Sequence, residues 1–335
     1  MRAGLRGAVT ALAACLFLFG FAGASSAGEG RPAASDVTFT SLADDFSRFH
    51  DATADKPQSV RVQLFRERFN QLLPGFYEPR YGKSQAAYDP QVAYALDRFP
   101  SIRRDYDRML ARFPGALAAA AVRMRQSFPD FRPHIPIVLL HSLGEMDGAT
   151  RILRGSNTLI FGIDRIAALH ADASLGPFLD HELFHIHHAR FYQDCARIRC
   201  SLWQEGLATY AASVMNQTRD AHLLMLDGLA QEVEAKRAEA LCLVRSKLDA
   251  SAQTDREMLF YGGGRAKSDP FPRRFGYYVG YLVAREAAKT TSLTGLTHLN
   301  RRQAVFAMDR AFARLIDQAG GCSGKVSASS SDRTR

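Results

Sequence analysis

From Ser41 to Met124 apolar residues recur mostly at spacings of three and four: Phe46 and Phe49; Val60, Leu64, Phe69 and Leu72; Val92, Leu96 and Phe99; Tyr106, Met109, Leu110 and Phe113. That period predicts helices. Prolines at 57, 74, 79, 90, 100 and 114 punctuate the pattern and predict a series of short helices rather than long ones. The period then changes. Ile135 to His141 and Asn157 to Ile163 are two short apolar runs joined by a Gly-rich, polar connection, and they read as two strands. A helical pattern resumes near Leu175 and continues to Ala319, with loops at Gln193 to Ser201 and Gly262 to Pro272. Within it, Leu223 to Leu248 mixes Leu, Ala and Val with charge and reads as a solvated scaffold helix. The expected fold is α+β and mostly helical, with an N-terminal helical subdomain over 37–130, a second region over 131–319, and a Gly, Ser and charge-rich tail over 320–335 expected to be disordered.

The first residues follow a different logic. Arg2 and Arg6 precede an apolar run from Ala8 to Ala24, and small residues follow at 22–27, which is the layout of a secretory signal peptide over 1–27. The run is slightly short for a membrane span. Leu12-Ala13-Ala14-Cys15 resembles a lipid-attachment box, but the apolar run continues past the cysteine, so that reading is the weaker one. Gly28 to Asp36 is a polar leader.

The chain has 335 residues, 47% hydrophobic and 23% charged, the balance of a folded protein with a sizeable core. Loss of residues 1–27 takes the formal net charge from +9 to +7. This suits a periplasmic or secreted protein that meets anionic envelope surfaces, and no nucleic-acid motif accompanies the charge. Oligomeric state is open. With Cys15 gone, Cys195, Cys200, Cys242 and Cys322 permit three pairings. Cys195 with Cys200 and Cys242 with Cys322 is favoured, because the first pair closes a short local loop in an oxidising compartment.

Candidate chemistry is concentrated in Asp180-His181-Glu182-Leu183-Phe184-His185. Two histidines four apart stand on one helix face and can share a tetrahedral Zn2+, while Glu182 is rotated away and can act as general base on a water activated by the metal. A third ligand is required. The third-histidine solution needs Gly at 188 and His at 191, where this chain has His188 and Phe191. The alternative takes a carboxylate from the next helix, and Glu205 lies twenty positions after His185, enough to turn and return antiparallel. A helix-terminal acid is the competing reading of Glu205. His188 is expected to support the site or sit at the surface, His187 to be solvated, and Asp180 to orient a neighbouring group or, as the commoner reading, to be a helix-start acid.

His181-Glu182-x-x-His185 with Glu205-Gly206-Leu207-Ala208-x-Tyr210 resembles the gluzincins, the thermolysin-like zincin metallopeptidases, and especially a branch carrying Glu-Gly-Leu-Ala-x-Tyr. The resemblance implies a zincin-like region whose small sheet carries an outer strand for extended peptide. Phe275 to Tyr281 is similar to that branch's Gly-Tyr-x-x-Gly segment. One departure is Thr209, where thermolysin has an aspartate bracing a zinc histidine; a hydroxyl or another residue must take that role. Independently, Gly276, Gly280, Ala284 and Ala288 recur every four residues and form a small ridge for close helix packing. Tyr277, or next Tyr278 or Tyr281, is a candidate oxyanion donor, or these are core aromatics. The expected function is a zinc-dependent metallopeptidase acting on peptide or protein substrates. The alternatives are a non-catalytic envelope binding protein on the same scaffold, or a zinc hydrolase of a non-peptide bond.

Overall fold

In the computed structural model, residues 37–79, 84–193, 195–262 and 269–322 are described. The signal segment, Cys15, the polar leader to Asp36 and the tail beyond Cys322 lie outside them. The chain begins with β1 (Thr40–Ser41), α1 (Ala43–Ala52) and α2 (Gln58–Leu72), followed by α3 (Gln85–Ser127). The series of short helices is thus corrected: Pro90, Pro100 and Pro114 all lie inside the 43-residue α3. Each proline strands the carbonyl four residues before it. All three prolines face away from the buried side, and water can take the carbonyls freed at Ala86 and Leu110, while Tyr88, Val92, Leu96, Phe99, Tyr106, Phe113 and Met124 bury the opposite face.

Four strands, two more than expected, make one sheet in the order β1, β2 (Ile137–Leu140), β4 (Ser156–Gly162), β3 (Gly148–Leu153). β2 is apolar throughout and buried because it runs between parallel neighbours, pairing Val138 with Thr40 and with Ile160. The connection expected to be a loop contains β3, antiparallel to β4 with Gly148 opposite Phe161. Arg154 and Gly155, at φ 50° and 77°, supply the two left-handed residues that a tight hairpin needs.

The sheet is tied to the N-terminal helices. Tyr77 donates to the His141 carbonyl (2.8 Å), Tyr106 donates to the Ala43 carbonyl (3.0 Å), and the His141 ring stacks on Phe46 at 3.8 Å. All described residues from 37 onward belong to one compact unit.

Helix α4 (Ile163–His170) follows β4 without a break, and α5 (Gly176–His188) and α6 (Ile198–Met215) follow it. Where one scaffold helix is expected over 223–248, the chain forms α7 (Leu229–Ala235) and α8 (Arg237–Lys247), separated at Lys236, and buries Leu229, Val233, Leu241 and Val244. Helices α9 (Gln253–Phe260), α10 (Phe275–Ala287), α11 (Leu293–Thr297) and α12 (Arg301–Gln318) complete the described chain.

Both favoured disulfides are present, Cys195–Cys200 and Cys242–Cys322. They indicate an oxidising, exported setting. The second carries order past α12 to Cys322, and Gly321 donates to the Ile316 carbonyl at 2.8 Å on the way. Among the described residues no helix is long and apolar enough to cross a membrane.

The small-residue ridge does what its spacing suggests. A Cβ on Gly206 of α6 would lie 2.3 Å from the carbonyl carbon of Gly280 of α10, so the two backbones are in contact. A Cβ on Gly276 would lie 2.6 Å from the Leu259 carbonyl oxygen.

Candidate metal centre

α5 is apolar nearly all round, with Phe178, Leu179, Leu183, Phe184 and Ile186 buried, and it packs between α3 and α6. Its polar residues are therefore inside the protein and need partners. Asp180, wholly buried, accepts from Arg123 through Nε (2.7 Å) and Nη2 (3.2 Å) and from Asn216 Nδ2 (2.7 Å). Burial holds its carboxyl above the usual range despite Arg123. Of the two readings of Asp180, the one that holds neighbouring groups fits: it is a clasp joining α3, α5 and the C-cap of α6.

His181, His185 and Glu205 come together. His181 Nε2 lies 3.1 Å from His185 Nε2 and 3.2 Å from Glu205 Oε2, and His185 Nε2 lies 3.4 Å from the same oxygen. Donors on a tetrahedral zinc with bonds of about 2.0–2.1 Å stand roughly 3.3 Å apart. The triangle therefore has the size that such an ion requires, and the group could hold a metal ion. The pairings 180 with 216, 181 with 205, and 195 with 200 show α6 returning antiparallel to α5.

Charge within the cluster is strongly coupled. Burial works to lower the His185 imidazole, but Glu205 and Glu182 outweigh it and raise it to about 9. Burial works to raise the Glu205 carboxyl, but His185 and His181 hold it well below the usual carboxylate range. A carboxylate kept ionised between two imidazoles is a cation-binding arrangement.

Glu182 stays outside the triangle, facing β3. A Cβ at Gly148 would lie 2.6 Å from Glu182 Cδ, so only glycine lets the edge strand pass this close. Burial, reinforced by Asp147 and Glu205 against the pull of His185, pushes the Glu182 carboxyl to about 8. The approach is fixed from behind: Asp164 on α4 accepts from Ser142 N (2.6 Å), Ser142 Oγ (3.1 Å) and Gly144 N (2.8 Å), pinning the turn before β3.

Of the three candidate tyrosines, Tyr277 lies against the cluster, its ring stacked at 6.3 Å on that of His181. Tyr278 gives its hydroxyl to Glu234 Oε1 (2.6 Å), and the Tyr281 ring packs at 6.5 Å from Tyr210 and 6.0 Å from Tyr278. Burial, with Glu205 beside it, keeps the Tyr277 phenol well above its ordinary value.

The neighbouring histidines are neither ligands nor solvated. His187 is wholly buried among Phe128, Phe131 and Phe191, 3.9 Å from Asp130, and burial lowers it to about 4. His188 stacks on Tyr192 at 5.2 Å, its Nε2 has no partner, and burial lowers it to about 3. The solvated His187 is thus a corrected expectation, because α5 has no solvent face at that position.

Two residues at this site escape sequence reasoning. Asp147 and Gly148 fall in the stretch expected to be a loop. A glycine at the start of a strand is the available hint for Gly148. Comparison of the chain with protein-family models, with curated proteins and with solved structures yields no match.

Proposed function

We propose that this chain is an exported zinc-dependent metallopeptidase of the gluzincin type, active in the periplasm or outside the cell. The reading rests on one observation above all: two imidazole nitrogens and one carboxylate oxygen within 3.1–3.4 Å of one another, with a fourth group, Glu182, beside them but not among them. His181, His185 and Glu205 would hold the ion. Zinc, when bound, supplies a Lewis acid that polarises the scissile carbonyl and acidifies a water. Glu182 would accept the attacking water's proton on a carboxylate oxygen and later deliver it to the leaving amine. The Tyr277 hydroxyl, kept protonated, donates to the oxygen that gains charge as the carbonyl is attacked. Thr209 orients His181. β3, the sheet edge next to Glu182, offers unpaired backbone groups for an extended peptide, and the net positive charge favours encounter with anionic envelope surfaces.

The test pairs metal analysis with Glu182→Gln. One zinc per chain is expected in both forms, with hydrolysis of a mixed-peptide pool reduced by about 100-fold or more in the variant. A variant that cleaves at the parental rate removes Glu182 from its role, and a parent that takes up no zinc removes the metallopeptidase reading.

A further inference from the structure

Arg274 immediately precedes α10 and adopts φ 73°, a left-handed conformation that disfavours any residue with a Cβ. Two backbone bonds hold it there: its N–H donates to the Met258 carbonyl (3.1 Å), and its carbonyl accepts from Tyr277 N (2.9 Å). The result is directional. The guanidinium lies 4.8 Å from the centre of the Tyr277 ring, and that ring stacks on His181.

Several partly buried arginines of this fold are neutralised by an acid. Arg66 pairs with Asp89, Arg123 with Asp180, Arg199 with Asp249 and Arg314 with Glu286. Arg274 is not: among the described residues no carboxylate lies within ion-pair distance of it. Two of the site's acids are engaged elsewhere, and Glu182 faces Gly148 on β3. Glu205 faces the two imidazoles, and Asp147 faces His170 Nε2 (3.4 Å) and accepts from Gly148 N (3.1 Å). A planar guanidinium held on an aromatic ring, with its charge unspent, is suited to grip a carboxylate through two parallel N–H groups.

We infer that Arg274 docks a carboxylate of the substrate next to the bond that is cleaved, so that the preferred substrates are peptides bearing a C-terminal α-carboxylate or an acidic side chain at that point. This inference rests on the metallopeptidase reading and names its substrate class. Arg274 is a specificity residue here, acting on the part of the substrate that does not react.

The experiment measures peptide binding to the Glu182→Gln protein in zinc-containing buffer, by calorimetry. Three probes are compared: acetylated pentaalanine as the free C-terminal acid, the same peptide as its C-terminal amide, and the amide with a central aspartate. One of the two carboxylate-bearing peptides is expected to bind about tenfold or more tighter than the plain amide, and which of them does so identifies the source of the carboxylate. Adding Arg274→Gly should close that gap, and Arg274→Lys should keep part of it. Because glycine suits φ 73°, the Arg274→Gly protein should melt no lower than its parent, which separates lost recognition from lost fold. Equal binding of all three peptides, no binding by any, or a gap that survives Arg274→Gly overturns the inference. Zinc content and cleavage by the parent are read separately, so failure of the peptidase reading is distinguishable from failure at Arg274.

Discussion

Thr209 Oγ1 lies 3.4 Å from His181 Nδ1 while it donates to the Glu205 carbonyl at 2.8 Å. With its proton spent on that carbonyl, the hydroxyl can only accept from the imidazole. His181 is thereby assigned the tautomer with hydrogen on Nδ1, and its Nε2 lone pair faces His185 and Glu205. The hydroxyl does part of what a bracing carboxylate would do, without adding a negative charge to a buried position.

Thr209→Val keeps the shape and removes the acceptor. It is expected to weaken zinc binding by about 10- to 100-fold with little loss of fold, and Thr209→Ser should restore most of the affinity. Chelator competition measures both. An unchanged dissociation constant in the valine variant would show that the tautomer is set elsewhere.

Gly206→Ala should be among the most damaging small changes in the chain. Its Cβ would meet backbone at 2.3 Å, and neither α6, which carries Glu205, nor α10, which carries Tyr277, can retreat without moving the site. A stability loss of about 1–3 kcal/mol or more is expected, together with weaker zinc binding. Gly115 is the control: it lies inside α3, and a Cβ added there would have nothing within 4 Å, so Gly115→Ala should stabilise by about 0.5–1 kcal/mol. Denaturant melts of the two variants decide it.

What can be read without coordinates follows the range of the physics involved. His181, His185 and Glu205 are legible because ligand spacing on one helix, and the length needed to return on the next, are local rules. β2 and β4 are legible as apolar runs, and the glycine ridge as a four-residue period. β3 is hidden because an exposed edge strand with polar residues carries little apolar alternation. The unbroken α3 is hidden because a proline's damage depends on which face it occupies, which spacing alone does not settle. Gly148 meets Glu182 only through strand pairing, and Arg274 reaches Tyr277 only through its backbone angle, and neither leaves a mark in composition or period.

His188 ties stability to pH. Its ordinary pKa near 6.5 falls to about 3 in the fold because burial disfavours the charged ring. Between those values the unfolded chain binds a proton that the folded chain refuses. The contribution is therefore fully present above about pH 6.5 and is lost as pH falls toward 3, at up to about 1.4 kcal/mol per unit. Unfolding free energies from pH 7 to pH 4 should show a shallower slope in His188→Phe than in the parent. Identical slopes would mean that the imidazole finds water or a partner when charged.

The two disulfides should contribute unequally, and for a reason that lies mostly in the unfolded chain. Cys242 and Cys322 are 80 residues apart and tie α8 to the end of α12, whereas Cys195 and Cys200 are 5 apart. Loop-closure entropy gives about 4.5 kcal/mol for the long bridge and about 2 kcal/mol for the short one. The short bridge also has help in the folded state, since Ile198 N donates to the Ala250 carbonyl (2.9 Å) and Arg199 pairs with Asp249 at 2.6 Å, holding the start of α6 without it. The Cys242→Ser/Cys322→Ser protein is therefore expected to unfold at clearly lower denaturant than the Cys195→Ser/Cys200→Ser protein. Both should still bind zinc below their transitions, because neither bridge touches a ligand atom. The reverse order of midpoints would show that the short bridge sets the path of α6, and with it the position of Glu205.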